Sequence, residues 1–170
     1  AIPHGCEPLA GVELPERLVT FALGDERADY TVSECEFQAG EWAFVLQSPD
    51  GTRRPMSLPA PGRHNVENAA CAAALAGELG ASGEAIAGGL GDFEPRPLRT
   101  EMHTTPSGVT LINDAYSSDP VSARAALSTL EDYTGERRSI AIVGDMLDLG
   151  ARSEAEHRKL GRLVARYGTD

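Results

Sequence analysis

The stretch VTLINDAYSSDPVSARAALSTLED (109–132) decides the fold class, because its hydrophobic period changes within a few residues from the two of a strand to the 3.6 of a helix. VTLIN (109–113) is a short apolar, β-branched run. Asp119 then stands as a natural cap before Pro120, which is comfortable at the first helical position, and Ala123, Ala126, Leu127 and Leu130 recur at i, i+3, i+4 and i+7. A strand that runs through a short loop into a helix is half of a repeating unit. The other half follows. SIAIV (139–143) reads as a second strand, and Ser153 with Glu156 reads as a capping box ahead of a helix whose apolar face is Leu160, Leu163, Val164 and Tyr167. The strand, helix, strand, helix rhythm predicts an α/β architecture with a parallel sheet.

Upstream the pattern is richer in strands. RLVTFAL (17–23), YTVSECEF (30–37), EWAFVLQ (41–47) and a short run near Met56 favour extended structure, and Asp50-Gly51 closes a hairpin. The period then lengthens. Asn65 is a candidate cap for an alanine-rich helix, Gly80 suits the left-handed position past its end, and Ser82 caps a shorter helix carrying Ile86 and Leu90. FEPRPLR (93–99) is broken by prolines and reads as a linker, which divides the chain into residues 1–97 and 98–170.

Composition removes several function classes. A formal net charge of −11 argues against a nucleic-acid partner, whose binding needs clustered Lys and Arg. Lys159 is the single lysine, so lysine-dependent chemistry comes from there or from outside these residues. Cys6, Cys35 and Cys71 are odd in number and lack CxxC spacing, as expected of reduced cytoplasmic thiols rather than a disulfide or zinc framework; Cys71, among alanines, reads as a small buried hydrophobe. No apolar run approaches the roughly 20 residues of a membrane span, and the start resembles no signal peptide. Ala1 to Pro8 read as mid-protein sequence without an initiator methionine, so a piece of a longer protein is expected.

Ligands of open parallel sheets gather at the carboxyl ends of strands, where Asp114 follows VTLIN and Asp145 follows SIAIVG. Spacing alone leaves both as ordinary loop residues. Three segments taken in order carry more information: PGRHNVENAACAAA (61–74), LINDAYSSDPVSARAAL (111–127) and VGDMLDLGARSEAEHRKLG (143–161). Together they resemble the Mur ligases, and among these the MurF type. The resemblance covers roughly Leu58 to Gly161 and implies the end of a central ATPase domain followed by the first βαβα of a Rossmann-like C-terminal domain.

The resemblance also implies roles. His64, Asn65 and Asn68 match the H-N-x-x-N motif, whose asparagines meet the adenine side of ATP; an amide has the donor and acceptor that a base edge needs. Asn65 serves equally as a helix cap, and His64, carried with Arg99 as a catalytic candidate, orients the turn. Arg99 matches the arginine that opens the C-terminal domain and reaches the ATP phosphates, while Arg63 and Arg96 either join it or are plain surface charges. Asp114 matches the aspartate of D-[AS]-Y-N-x-[ND]-P and accepts from the ribose, with Tyr116 packing or stacking nearby; Ser117 departs from the family's Asn. GDMLDLG (144–150) resembles the GDM-x-E-L-G signature with Asp148 for Glu, which makes Asp145 and Asp148 substrate-side candidates, although Asp145 and His157 have an equally good structural reading.

The implied reaction phosphorylates the terminal carboxylate of UDP-MurNAc-tripeptide with ATP and Mg²⁺. The amine of D-Ala-D-Ala then attacks the acyl phosphate. No metal ligands are expected among these residues, and no GxxxxGK[ST] phosphate loop occurs in them, so the chain alone is expected to be inactive. A cytoplasmic monomer is expected. The alternatives are a ligase half fused to an alanine racemase, a non-catalytic nucleotide-binding or scaffold domain, and a dinucleotide-dependent oxidoreductase, the last disfavoured because no GxGxxG follows either strand.

Overall fold

A computed structural model describes every residue except 7–10, 14, 15, 17, 136 and 168–170. The chain forms two units, Ala1–Glu94 and Pro95–Asp170, each with its own core. The first is built on a five-stranded sheet in sequential order: β1 (Ile2–Pro3), β2 (Thr20–Leu23), β3 (Tyr30–Gln38), β4 (Glu41–Gln47) and β5 (Arg53–Leu58). The β1, β2 and β3 pairings are parallel, and β3, β4 and β5 are antiparallel. The expected strand at 17–23 begins at Thr20, and Arg17 lies outside the described residues.

Alternation explains β4. Trp42, Phe44 and Leu46 point into the core, opposite Leu58, Met56 and Arg54 of β5. The hairpin between them turns at Asp50-Gly51 as expected, with Gly51 at φ 80° and the Ser48 amide bonded to the Thr52 carbonyl at 2.9 Å. The tight link from β2 to β3 is braced by Asp29, whose Oδ2 accepts from the Thr20 amide and hydroxyl, both at 2.7 Å. These donors hold the Asp29 carboxyl below the usual carboxylate range.

Helix α1 (Arg63–Glu78) covers the sheet with Val66, Ala69, Ala70, Ala73 and Ala74, a stripe of helical period. Its small side chains allow a close approach, and Gly77 extends the stripe to the Tyr30 ring, where any Cβ would overlap the hydroxyl. Gly80, at φ 87°, ends the helix as expected: its amide bonds to the Gly77 carbonyl, and the Ala81 amide to the Ala76 carbonyl, both at 2.9 Å. Ser82 caps α2 (Gly83–Gly91), accepting from the Ala85 amide at 3.2 Å.

Asn65 is not the cap of α1. The chain turns into the helix three residues earlier, at Gly62 (φ 88°), a conformation open to glycine, and the Asn65 Nδ2 instead donates to the Pro61 carbonyl at 2.7 Å.

In the second unit β6 (Glu101–Thr104) and β7 (Thr110–Asn113) form an antiparallel pair, followed by α3 (Pro120–Thr134) and α4 (Ser153–Arg166). Leu127, Met146 and Leu160 make its buried core, with Ala123, Leu163, Val164 and Tyr167 packed against them. Two local expectations fail here. SIAIV is not a strand: residues 138–146 have no regular structure, and Ile142 is 96% exposed. An apolar run becomes a strand only where a neighbour takes its hydrogen bonds, and among the described residues none pairs with it. Nor is there a capping box at Ser153. A 3₁₀ turn (Gly150–Arg152) leads directly into α4, the residue before Ser153 is already helical, and Glu156 bonds forward to Lys159 at 2.7 Å.

Candidate functional site

The end of β7 and the segment before β6 meet in the second unit and are tied at three levels. The Tyr116 amide donates to the Leu98 carbonyl at 3.1 Å. The Arg99 guanidinium carbon lies 3.9 Å from the centre of the Tyr116 ring, a close cation–π contact. Asp114 Oδ1 accepts from the Thr100 amide at 2.9 Å and the Thr100 hydroxyl at 3.4 Å. Three of the predicted site residues, Arg99, Asp114 and Tyr116, are thereby brought together.

The backbone around Arg99 is unusual. Leu98 and Thr100 both take left-handed conformations, at φ 62° and 53°, which for a β-branched threonine is a strained state costing about 1–3 kcal/mol. Thr100 is only 3% exposed, so the Asp114 bonds that hold it are shielded. Sequence reasoning missed Leu98 and Thr100, since neither residue type advertises a left-handed backbone.

Downstream, Asp119 caps α3 as expected. Its Oδ1 accepts from the Val121 amide at 2.8 Å and the Ser122 amide at 3.1 Å, while the Ser122 hydroxyl bonds back. The Ser122 backbone and hydroxyl, then the Val121 amide, hold the Asp119 carboxyl below the usual range.

The GDMLDLG loop is anchored by its methionine. Met146 is buried between α3 and α4, whereas Asp145 and Asp148 are exposed; Asp148 sits at φ 60°, a region aspartate tolerates better than most residues. His157 Nε2 accepts from the Met146 amide at 3.1 Å, and Nδ1 lies 2.8 Å from the Ser153 carbonyl. A carbonyl only accepts, so Nδ1 carries the proton and the ring is the neutral Nδ1–H tautomer. Asp145 Oδ1 stands 3.8 Å from Nε2. His157 is therefore a backbone clamp on this loop. Beside it a shallow groove is lined by Pro120, Arg124, Met146, Glu156, Lys159 and Leu160, with the single lysine already paired to Glu156.

In the first unit, Asn68 Nδ2 donates to Asn65 Oδ1 at 3.5 Å, a long bond, and Asn68 is exposed at the start of α1. His64, one residue before Asn65 in the same turn, is half-buried. Among the described residues no group of three or more His, Cys, Asp or Glu side chains is placed to hold a metal ion.

Residues 98–169 match the family model described as Mur ligase, glutamate ligase domain. The chain is 35% identical over 150 residues to the UDP-N-acetylmuramoyl-tripeptide–D-alanyl-D-alanine ligase of Escherichia coli (strain K12), covering 88% of this chain and 32% of that protein. The chain belongs to the Mur ligase family. Solved Mur ligases agree in fold: MurF from Acinetobacter baumannii superimposes with a TM-score of 0.79 at 28% identity, over 92% of this chain and 38% of that one. MurF ligase from Thermotoga maritima in complex with ADP gives a TM-score of 0.78 at 22% identity, over 96% and 38%. This Mur ligase chain spans about a third of the length of the relatives it matches.

Proposed function

We propose that this chain is part of an ATP-dependent amide ligase that adds D-alanyl-D-alanine to UDP-MurNAc-tripeptide, acting as a cytoplasmic monomer. Residues 1–97 are the second half of its central ATP-binding domain, and residues 98–170 the start of its C-terminal ligase domain. The observation that carries this reading is the pairing of a guanidinium and a carboxylate on one braced corner, Arg99 beside Tyr116 and Asp114 on Thr100. A nucleotide needs both: a cation for its phosphates and an acceptor for its ribose hydroxyls. The similarity to the Escherichia coli ligase and the ADP-bound relative from Thermotoga maritima support the choice of substrates and of nucleotide.

In this reading Arg99 stabilises phosphate charge and Asp114 orients the ribose. Asn65 and Asn68 present amide groups to the adenine, and His64 orients their turn. Asp145 and Asp148 lie on the substrate side, on a loop whose backbone His157 holds in place. Magnesium is held by residues other than these, and the phosphate loop likewise lies outside them.

The full-length ligase containing these residues should release phosphate from ATP only when UDP-MurNAc-tripeptide and D-Ala-D-Ala are both supplied. Arg99→Gln and Asp114→Asn should each lower kcat/KM for ATP at least about tenfold, the scale of one lost charge-assisted bond. Phosphate release that ignores omission of D-Ala-D-Ala would sink the substrate assignment. Variants with unchanged ATP kinetics would sink the roles of these two residues.

A further inference from the structure

Arg99 is a long side chain in a short linker-derived segment, and among the described residues the contact seen at its head comes from further along the chain. What fixes it is the loop after β7. The guanidinium carbon stands over the Tyr116 ring, 3.9 Å from its centroid. The Tyr116 amide holds Leu98, and Asp114 holds Thr100, so the residues on either side of Arg99 are bonded to the residues on either side of Ala115. Leu98 and Thr100 keep left-handed backbones under those bonds. Strain of this kind persists only where the surroundings over-determine it.

We propose that Tyr116 is a positioning residue for Arg99: its ring holds the guanidinium in one orientation ahead of nucleotide binding, and it acts on ATP through Arg99 rather than by stacking on the nucleotide. The chemistry is specific to this pair. A guanidinium on an aromatic face keeps its edge N–H donors available for phosphate oxygens, because the contact uses the flat face and leaves the in-plane donors outward. A carboxylate partner would instead consume them. Pre-orientation also reduces the entropy lost when Arg99 engages an anion. The proposal rests on the reading of Arg99 as the phosphate-side cation.

The test uses the full-length ligase, with ATP binding measured by calorimetry and the Arg99 side-chain N–H resonances followed by NMR. Tyr116 is exposed, so its replacement removes no core packing, and thermal midpoints should stay unchanged. Tyr116→Phe keeps the aromatic face and should bind ATP within about twofold of the parent; Tyr116→Leu should weaken binding roughly three- to fivefold, the size of an exposed cation–π contact. Arg99→Gln should weaken it more, and Tyr116→Leu should add nothing in that background. The ring-current shift of the Arg99 N–H signals should survive in Tyr116→Phe and vanish in Tyr116→Leu. A Tyr116→Leu penalty that persists undiminished with Arg99→Gln means that Tyr116 touches the nucleotide itself and overturns the proposal. If the ring-current shift is present but Arg99→Gln binds ATP normally, the phosphate role of Arg99 fails and the proposal falls with it. An absent shift in the parent overturns the positioning claim alone.

Discussion

Single atoms decide several local outcomes. Gly77 has no Cβ, and the Tyr30 hydroxyl occupies the room that one would need. Tyr30 is itself buried and cannot swing away, so Gly77→Ala should destabilise the first unit by about 1–3 kcal/mol, read as a lower denaturant midpoint. Adding Tyr30→Phe, which deletes the obstructing oxygen, should restore much of the loss; no restoration would mean that the helix, not the contact, is what alanine disturbs. At His157 the decisive atom is Nε2. His157→Phe keeps the volume but leaves the part-buried Met146 amide without its acceptor, which costs about 1–3 kcal/mol. Hydrogen exchange at the Met146 amide should accelerate at least about tenfold, whereas unchanged protection would show that the histidine is not the clamp.

Among elements, α3 offers the cleanest pH dependence. The folded pKa of Asp119 is depressed by amide and hydroxyl donors, so its contribution is present above the ordinary aspartate range and fades as pH falls through the lower folded value. Asp119→Ala should therefore cost about 1 kcal/mol near neutrality, and the gap between variant and parent should close in strong acid. A gap that stays constant with pH would deny the carboxylate this role. The same helix shows what sequence makes legible. Asp119 and Pro120 announce a start through short-range chemistry, and so do Ser82 for α2 and Gly80 for the end of α1. EWAFVLQ likewise carries its own evidence, since alternation reflects one buried face. SIAIV does not, because its apolar composition says nothing about which neighbour accepts its hydrogen bonds. β6 was missed for the converse reason: EMHT is too polar to signal a strand and exists through its pairing with TLIN. At the candidate site Arg99 and Asp114 were each visible as motif residues. The Leu98 and Thr100 bonds that tie them span fourteen or more positions and follow no period.

At the scale of the whole molecule, the chain carries the residues proposed to grip a nucleotide but no phosphate loop of the GxxxxGK[ST] kind. Incubated alone with ATP and both proposed substrates, these 170 residues should release no phosphate above background. Release that depends on all three would show that the loop is dispensable. The two units have separate cores, one sheet-based around Val32, Phe44, Leu46 and Val66, the other small and helical around Leu127, Met146 and Leu160.

Trp42, the one tryptophan in the sequence, lies in the first of these cores, its ring centre 5.0 Å from that of Phe37 and its indole N–H without a hydrogen-bond partner among the described residues. Excited at long wavelength, the protein therefore has a single fluorophore, shielded from water and emitting from the sheet-based unit. An emission red shift during unfolding dates the opening of residues around Trp42, and the helical unit is optically silent in that experiment. Following both requires a second probe, such as the near-ultraviolet signal of Tyr116, Tyr133 and Tyr167.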